Sequence, residues 1–333
     1  MTMSSEFPVS PPRSGQSRWR DYALLGGLFL LVLAGLASLA AATGWDATIA
    51  QLGKLSWREL GLLLALSLVN YFFRALRWHY FTGCLGIGTK LGQNIRHFLG
   101  GFAMSVTPGR VGELIRMRWI RRETGWSFER TAPLLLVDRA SDLAAMALLL
   151  AVGLLMSGAM IRLAVPVTLL AFAGAVLVTR PALLSLSAGI FYRVTGLFPR
   201  LMARIRRAAR SLKAFSSAGI LTLATGLGLI GWLAEGYAFW LLLTWMDVEI
   251  GFWLAVLIFV FSTLAGGLTG APGGIGGAEA AMVGLLLLEG IPFEVALPAT
   301  AVIRATTLWF AILIGLGVFP YAEAKSNLNE GRV

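Results

Sequence analysis

The stretch Thr107-Pro108-Gly109-Arg110-Val111-Gly112-Glu113 has a counterpart later in the chain, Ala271-Pro272-Gly273-Gly274-Ile275-Gly276-Gly277-Ala278-Glu279. Each copy is a Pro-Gly break with a second glycine four residues after the proline and a carboxylate beyond it, set in apolar sequence. The two prolines lie 164 residues apart in a chain of 333. Proline and glycine both interrupt helices, so their recurrence predicts a duplicated helical protein with one broken helix in each half.

Composition places that helical protein in a membrane. Hydrophobic residues make up 57% of the chain and charged residues 14%, and the mean hydropathy is +0.76; long apolar runs with sparse charge mark a polytopic membrane protein. The net charge of +11 comes from basic residues clustered between the apolar runs. That is the pattern of cytoplasmic loops facing anionic lipid, not of a nucleic-acid surface. Cys84 is the only cysteine, and His79 and His97 the only histidines, so neither a disulfide nor a metal site is expected, and no cofactor. No GxxxxGK[ST] loop or GxSxG elbow occurs, which argues against an ATP-driven pump and against an enzyme; an intramembrane transferase is the third-ranked alternative.

The polar residues 1–20 read as a disordered cytoplasmic tail, and the uncharged run Tyr22–Thr43 is long enough to cross a bilayer. A second span is expected over Leu60–Tyr80, with Arg74 and Arg77 near its end, placed to snorkel to the headgroups. Ile95–Thr107 is too short to span, and 110–122 is too charged. Together they predict a re-entrant hairpin turning at Pro108-Gly109. Further spans are expected over Ala132–Gly158, Ile161–Thr179, Gly219–Trp245 and Ala296–Phe319, with a second hairpin from Phe252 through Pro272. The basic stretch 180–216 reads as cytoplasmic, with an amphipathic helix over Leu201–Phe215 on the membrane face.

The duplication extends past the motif. At an offset of 165, Gly125/Gly290, Phe128/Phe293, Glu129/Glu294, Pro133/Pro298, Val137/Val302, Arg139/Arg304, Ala140/Ala305 and Leu143/Leu308 are identical. The fold expected is an all-α polytopic membrane protein with an inverted-topology repeat, about six spanning helices plus two re-entrant helical hairpins; eight spans are the alternative. The repeats are 21–160 and 161–321, followed by a cytoplasmic tail, 322–333. An odd number of crossings per repeat inverts one half relative to the other. The distribution of Lys and Arg then puts both termini in the cytoplasm.

A half-helix beginning after Pro108 or Pro272 leaves its first N–H groups free and its positive dipole end facing the centre, a setting for an anion. Gly109, Gly112, Gly273 and Gly276 allow close backbone approach, and Arg110 adds a guanidinium in the first copy only. The alternative is that the breaks serve helix packing alone. Arg116, Arg139 and Arg304 are further candidate ligands, because charge within membrane helices is costly. They have a local reading as well. Arg139 lies next to Asp138 and three residues from Asp142, and Arg116 three from Glu113, whereas Arg304 must look to Glu279, Glu235 or a ligand. Glu113, Asp142, Glu235 and Glu279 are the candidates for charge balance or proton coupling.

Three segments carry a family resemblance: Ser105-Val-Thr-Pro108-Gly-Arg110-Val-Gly112-Glu113-Leu-Ile-Arg116, Val137-Asp-Arg139-Ala-Ser-Asp142-Leu, and Ala271-Pro272-Gly-Gly-Ile-Gly276-Gly-Ala-Glu279-Ala-Ala. From about Asp21 to Tyr321 the chain resembles the lysylphosphatidylglycerol synthase transmembrane-region family, a flippase-like family of bacterial inner-membrane proteins. Its larger members carry multiple-peptide-resistance activity. The resemblance implies movement of a lipid between leaflets, and the soluble synthase domain of the larger relatives is expected to be missing. Val137-Asp138-Arg139 stands where the family often has a Glu-Arg pair, and Gly277 where a basic or bulkier residue is common, which bears on the lipid recognised. A translocase for an anionic, phosphate-bearing or isoprenoid-type lipid follows as the leading expectation. The alternative is a non-catalytic partner of a lipid-synthesising or glycosyltransferase enzyme, docked through 180–216.

Overall fold

A computed structural model describes residues 30, 50, 53–105, 107, 112–158, 164–196, 202 and 212–329. The expected tail 1–20, all but residue 30 of the first expected span, Pro108, Gly109 and Arg110, and most of the expected amphipathic helix lie outside the described residues. Among the described residues all regular structure is helical.

Helix α1 (Trp57–Cys84) opens on a capping box in which Ser56 Oγ accepts from the Glu59 N–H and the Glu59 carboxylate accepts from the Ser56 N–H at 2.6 Å. α2 (Leu91–Gly101) tightens into a 3-10 turn over Phe102–Met104, and α3 (Ile115–Thr124) leaves the motif and ends at Gly125, φ +73°. α4 (Phe128–Ser157) follows. α5 (Ala164–Thr179) is bent by 102° into α6 (Pro181–Thr195). α7 (Ala218–Trp245) is capped by Ser217. The second motif lies between α8 (Phe252–Leu268) and α9 (Gly277–Leu288). α10 (Phe293–Arg304) passes through a π turn, Ala305–Trp309, into α11 (Phe310–Asn329).

Length separates these helices into two kinds. Four helical runs, α1, α4, α7 and Phe293–Leu328, are long and apolar enough to cross a membrane, and the bent α5–α6 pair would make a fifth. At about 1.5 Å per residue α2, α3 and α9 reach roughly 15–18 Å, well short of a ~30 Å hydrocarbon core. The first Pro-Gly motif thus sits between two short helices, and the second between the 17-residue α8 and the short α9. Three of the eight identities found at one offset take equivalent places by helix boundary. Gly125 and Gly290 both end a helix at positive φ, Phe128 and Phe293 both begin the next one, and Arg139 and Arg304 lie at the same distance into it.

α1 packs along α7, and α4 lies against α5, α7 and α8. α11 closes over α2, the 3-10 turn and α3. Each hairpin is therefore covered by a long helix from the other half of the chain. Apolar surface in lipid gains little from burial, so close packing must hold such helices. Glycines on α7 allow it. A Cβ at Gly228 would lie 2.9 Å from Arg77 Nη1, and one at Gly231 3.2 Å from Asn70 Cα.

Two segments carry helix that their composition did not announce. The region after Thr179 begins with a largely apolar helix, α6, bearing Arg193 alone among its residues, with Leu183, Leu186, Ile190 and Val194 exposed along one side. Residues 322–329, expected as a tail, continue α11, and Ala322, Glu323 and Ser326 are buried.

Candidate functional site

Arg74 and Arg77 are three residues apart on α1, and Asp138 and Asp142 four apart on α4, so each pair occupies one helical face. The faces meet. Arg77 donates to Asp138 Oδ1 through Nε (3.0 Å) and Nη2 (2.6 Å), and to Asp142 Oδ1 at 2.7 Å. Arg74 Nη2 reaches Asp142 Oδ2 at 2.8 Å, and Trp232 Nε1 of α7 donates to Asp142 Oδ1 at 3.2 Å. The pairing runs down α1 as it runs up α4, so the helices are antiparallel here. Arg74 and Arg77 are buried, which overturns the expectation that they snorkel to the headgroups. The two aspartates supply inside the protein what water would have supplied outside.

The first motif delivers two more charges to this group. Glu113, just past the second glycine, lies 3.2 Å from Arg116 and 3.4 Å from Arg139, and accepts from Ser105 Oγ at 3.3 Å. Gly112 donates its N–H to Thr107 Oγ1 at 2.6 Å, and a Cβ there would come within 2.7 Å of Met104 Cβ. That glycine draws the two limbs of the hairpin together. Arg116 is fully buried, with its guanidinium 4.4 Å from the Phe98 ring centre and 5.2 Å from that of Trp78. Aromatic faces therefore supply part of what hydrogen bonds leave unmade. Arg139 also contacts Asp138 (2.9 Å) and Asp142 (3.5 Å), and its side chain is 28% exposed, the most open of the four arginines.

The second motif repeats this arrangement on a smaller scale. Arg304 Nε donates to Glu279 Oε1 at 2.6 Å, and its Nη2 donates to the Gly273 carbonyl at 3.3 Å. Glu279 Oε2 accepts the Gly276 N–H at 2.7 Å, so the start of α9 is capped by its own carboxylate. Glu113–Arg139 and Glu279–Arg304 are the same pairing in the two halves: a motif carboxylate bound to the arginine of the following long helix. Beyond Arg304 comes the π turn, whose Thr307 carbonyl accepts a hydrogen bond from the Tyr71 hydroxyl. A π turn frees carbonyls from the helical ladder and recurs at functional sites.

Of the residues singled out from sequence, Gly112, Glu113, Arg116, Arg139 and Asp142 come together in one cluster, and Gly273, Gly276, Glu279 and Arg304 in another. Pro272 opens a short 3-10 turn between α8 and α9. Glu235 is buried on α7 within electrostatic reach of Tyr71. Arg74 and Arg77 were missed as members of the cluster: their three-residue spacing puts them on one face of α1, but nothing local says that this face meets Asp138 and Asp142. Among the described residues, no group of His, Cys, Asp and Glu is placed to hold a metal ion.

Comparison with known proteins agrees with this architecture. Residues 23–315 match the family described as lysylphosphatidylglycerol synthase TM region. A UPF0104 membrane protein of Methanothermobacter thermautotrophicus is 31% identical over 123 residues, 37% of this chain and 36% of the relative. The chain thus matches about a third of that relative's length. A match over most of the chain, together with the long apolar helices, identifies the protein as a multi-pass membrane member of the lysylphosphatidylglycerol synthase TM-region family.

Proposed function

We propose that the protein is a lipid translocase that passes an anionic, phosphate-bearing or isoprenoid-type lipid between leaflets without ATP, and is a transporter and not an enzyme. The observation that carries this reading is Arg139: a side chain left 28% exposed at the edge of an otherwise buried arginine–carboxylate cluster, beside the broken motif. A guanidinium fork matches phosphate oxygens, and charge kept inside a membrane protein marks a pathway more often than a scaffold. Arg139 and Arg304, with Arg110, Arg116 and the glycine backbones of both motifs, would hold the headgroup. Glu113, Asp142, Glu235 and Glu279 would balance charge or carry protons.

The fold behind this reading is an inverted repeat of two halves, each with a re-entrant hairpin whose tip lies at depth, in the bacterial inner membrane with both termini cytoplasmic. The matched Glu–Arg pairs and the covering of each hairpin by the other half support it. So does sidedness. The loops before α1 and after α7, both free to face outward, meet through Lys54 and Asp247, while the basic end of α3 meets the end of α11. Broken helices meeting at the interface of inverted repeats are the usual setting of a transport site.

The test is reconstitution in liposomes with leaflet accessibility of fluorescent phosphatidylglycerol or a polyprenyl phosphate as the readout. Wild-type protein is expected to equilibrate one of these lipids, and Arg139→Ala or Arg304→Ala to slow it by about tenfold or more, the loss of one charge-assisted hydrogen-bonding group. No transfer of any anionic lipid, or a rate equal to that of the wild type in both variants, rules the reading out.

A further inference from the structure

Two groups of ion pairs, one at each end of α1, join the first half of the chain to the second. At the start of α1, Lys54 Nζ lies 2.7 Å from Asp247 Oδ2, just beyond the end of α7. This pair is open to solvent, with the Asp247 side chain 80% exposed. At the other end Glu323 of α11 takes three donors from α3: Arg118, Arg122 Nη1 at 2.8 Å and Trp119 Nε1 at 2.9 Å. Its carboxylate is 11% exposed. Asn94 at the start of α2 donates to Thr82 near the end of α1 at 3.0 Å, and Gln93 donates to Glu123 of α3 at 3.1 Å, which fixes this group at the far end of α1. The 28 residues of α1 separate the two groups by about 40 Å, the thickness of a bilayer with its headgroups. The arginine cluster lies between them.

We infer that Lys54–Asp247 and Arg118/Arg122–Glu323 are the two gates of the arginine cluster, both closed in this structure, and that they open in alternation. The inference rests on the translocase reading and adds which contacts break. Two halves packed along α1 and α7 part at one end while remaining joined at the other, a rocking motion that exposes the centre to one face at a time. The gates are unequal. An exposed pair of long side chains in water holds weakly, whereas a shielded carboxylate with three donors holds firmly. The Lys54–Asp247 end therefore opens more readily, and the resting site samples that face.

A single reporter thiol tests this: Ser141→Cys, next to Asp142 on α4, in a Cys84→Ser background. Its rate of reaction with a membrane-impermeant thiol reagent is measured from each face of sealed vesicles. Glu323→Gln is expected to raise the rate from the Glu323 face by about tenfold, and Asp247→Asn to raise it from the opposite face by about threefold. Should Glu323→Gln fail to accumulate, Arg118→Ala with Arg122→Ala weakens the same gate from α3. Both gates raising reactivity from one face, or neither changing it in folded protein, overturns the inference. Alternating reactivity without lipid transfer in liposomes supports the gates and removes the translocase reading.

Discussion

Arg77 and Lys54 each hold an aspartate at under 3 Å, 2.6 Å to Asp138 and 2.7 Å to Asp247, and what surrounds each pair decides what it contributes. Arg77 and Asp138 are fully buried, so removing one partner strands a charge that water cannot reach. Asp138→Ala should destabilise the protein by about 3 kcal/mol or more, measured as a lowered thermal transition in detergent micelles. Replacing both partners, Arg77→Met with Asp138→Leu, should recover part of that loss, since two apolar groups leave no orphaned charge. Asp247→Asn removes an exposed pair and should cost less than about 1 kcal/mol in the same measurement. Asparagine also tolerates the left-handed backbone, φ +60°, that Asp247 adopts. A comparable loss in the two single variants would mean that the Asp138 group is hydrated and not buried.

The hairpin elements depend on positions where one helix lies directly on another. A Cβ at Gly266 of α8 would fall 2.6 Å from Ala278 Cβ on the opposite limb and 2.8 Å from the Gly274 carbonyl oxygen in the turn. At Gly267, one residue on, nothing lies within 4 Å. Gly266→Ala should therefore spread the second hairpin and cost about 1–3 kcal/mol, while Gly267→Ala should be neutral or slightly stabilising through higher helix propensity. Thermal unfolding of the two variants separates steric contact from a general need for glycine. The helix break at each motif was legible in the sequence, because Pro, Gly and charge density act locally and their signal survives without tertiary knowledge. Glu279 was one of three partners the sequence offered Arg304, beside Glu235 and a ligand, since no acid lies near Arg304 on its own helix; the structure selects Glu279. The role of Arg74 and Arg77 was not legible: nothing on α1 shows that α4 presents Asp138 and Asp142 to the same depth. α6 escaped for a different reason. Its neighbourhood was read by its arginines, whereas Pro181 and the apolar run after it set the helix that turns from α5.

At the scale of the whole molecule, what matters is how deep each motif lies. α2 with its 3-10 turn covers Leu91–Met104, and α3 only Ile115–Thr124. Neither limb is long enough to cover ~30 Å of hydrocarbon, and on the proposed reading the hairpin turns back inside the bilayer. Backbone without helical hydrogen bonds survives at that depth only when packed against protein, and α11 packs over this turn, with Gly315 pressed against the backbone at Phe102. The outcome can be read by labelling single cysteines in the Cys84→Ser background. Lys54→Cys should react readily with an impermeant maleimide from one face and Gly88→Cys from the other. Thr107→Cys, at the first tip, should stay at least about tenfold slower than Lys54→Cys from the Lys54 face, because the tip does not emerge there. Thr269→Cys, at the second tip, should be equally slow relative to Gly88→Cys from the Gly88 face. Rapid labelling of Thr107→Cys alongside Lys54→Cys would mean that both limbs cross the membrane, making eight spans. The tips of the two motifs would then lie at opposite surfaces, too far apart to share one headgroup.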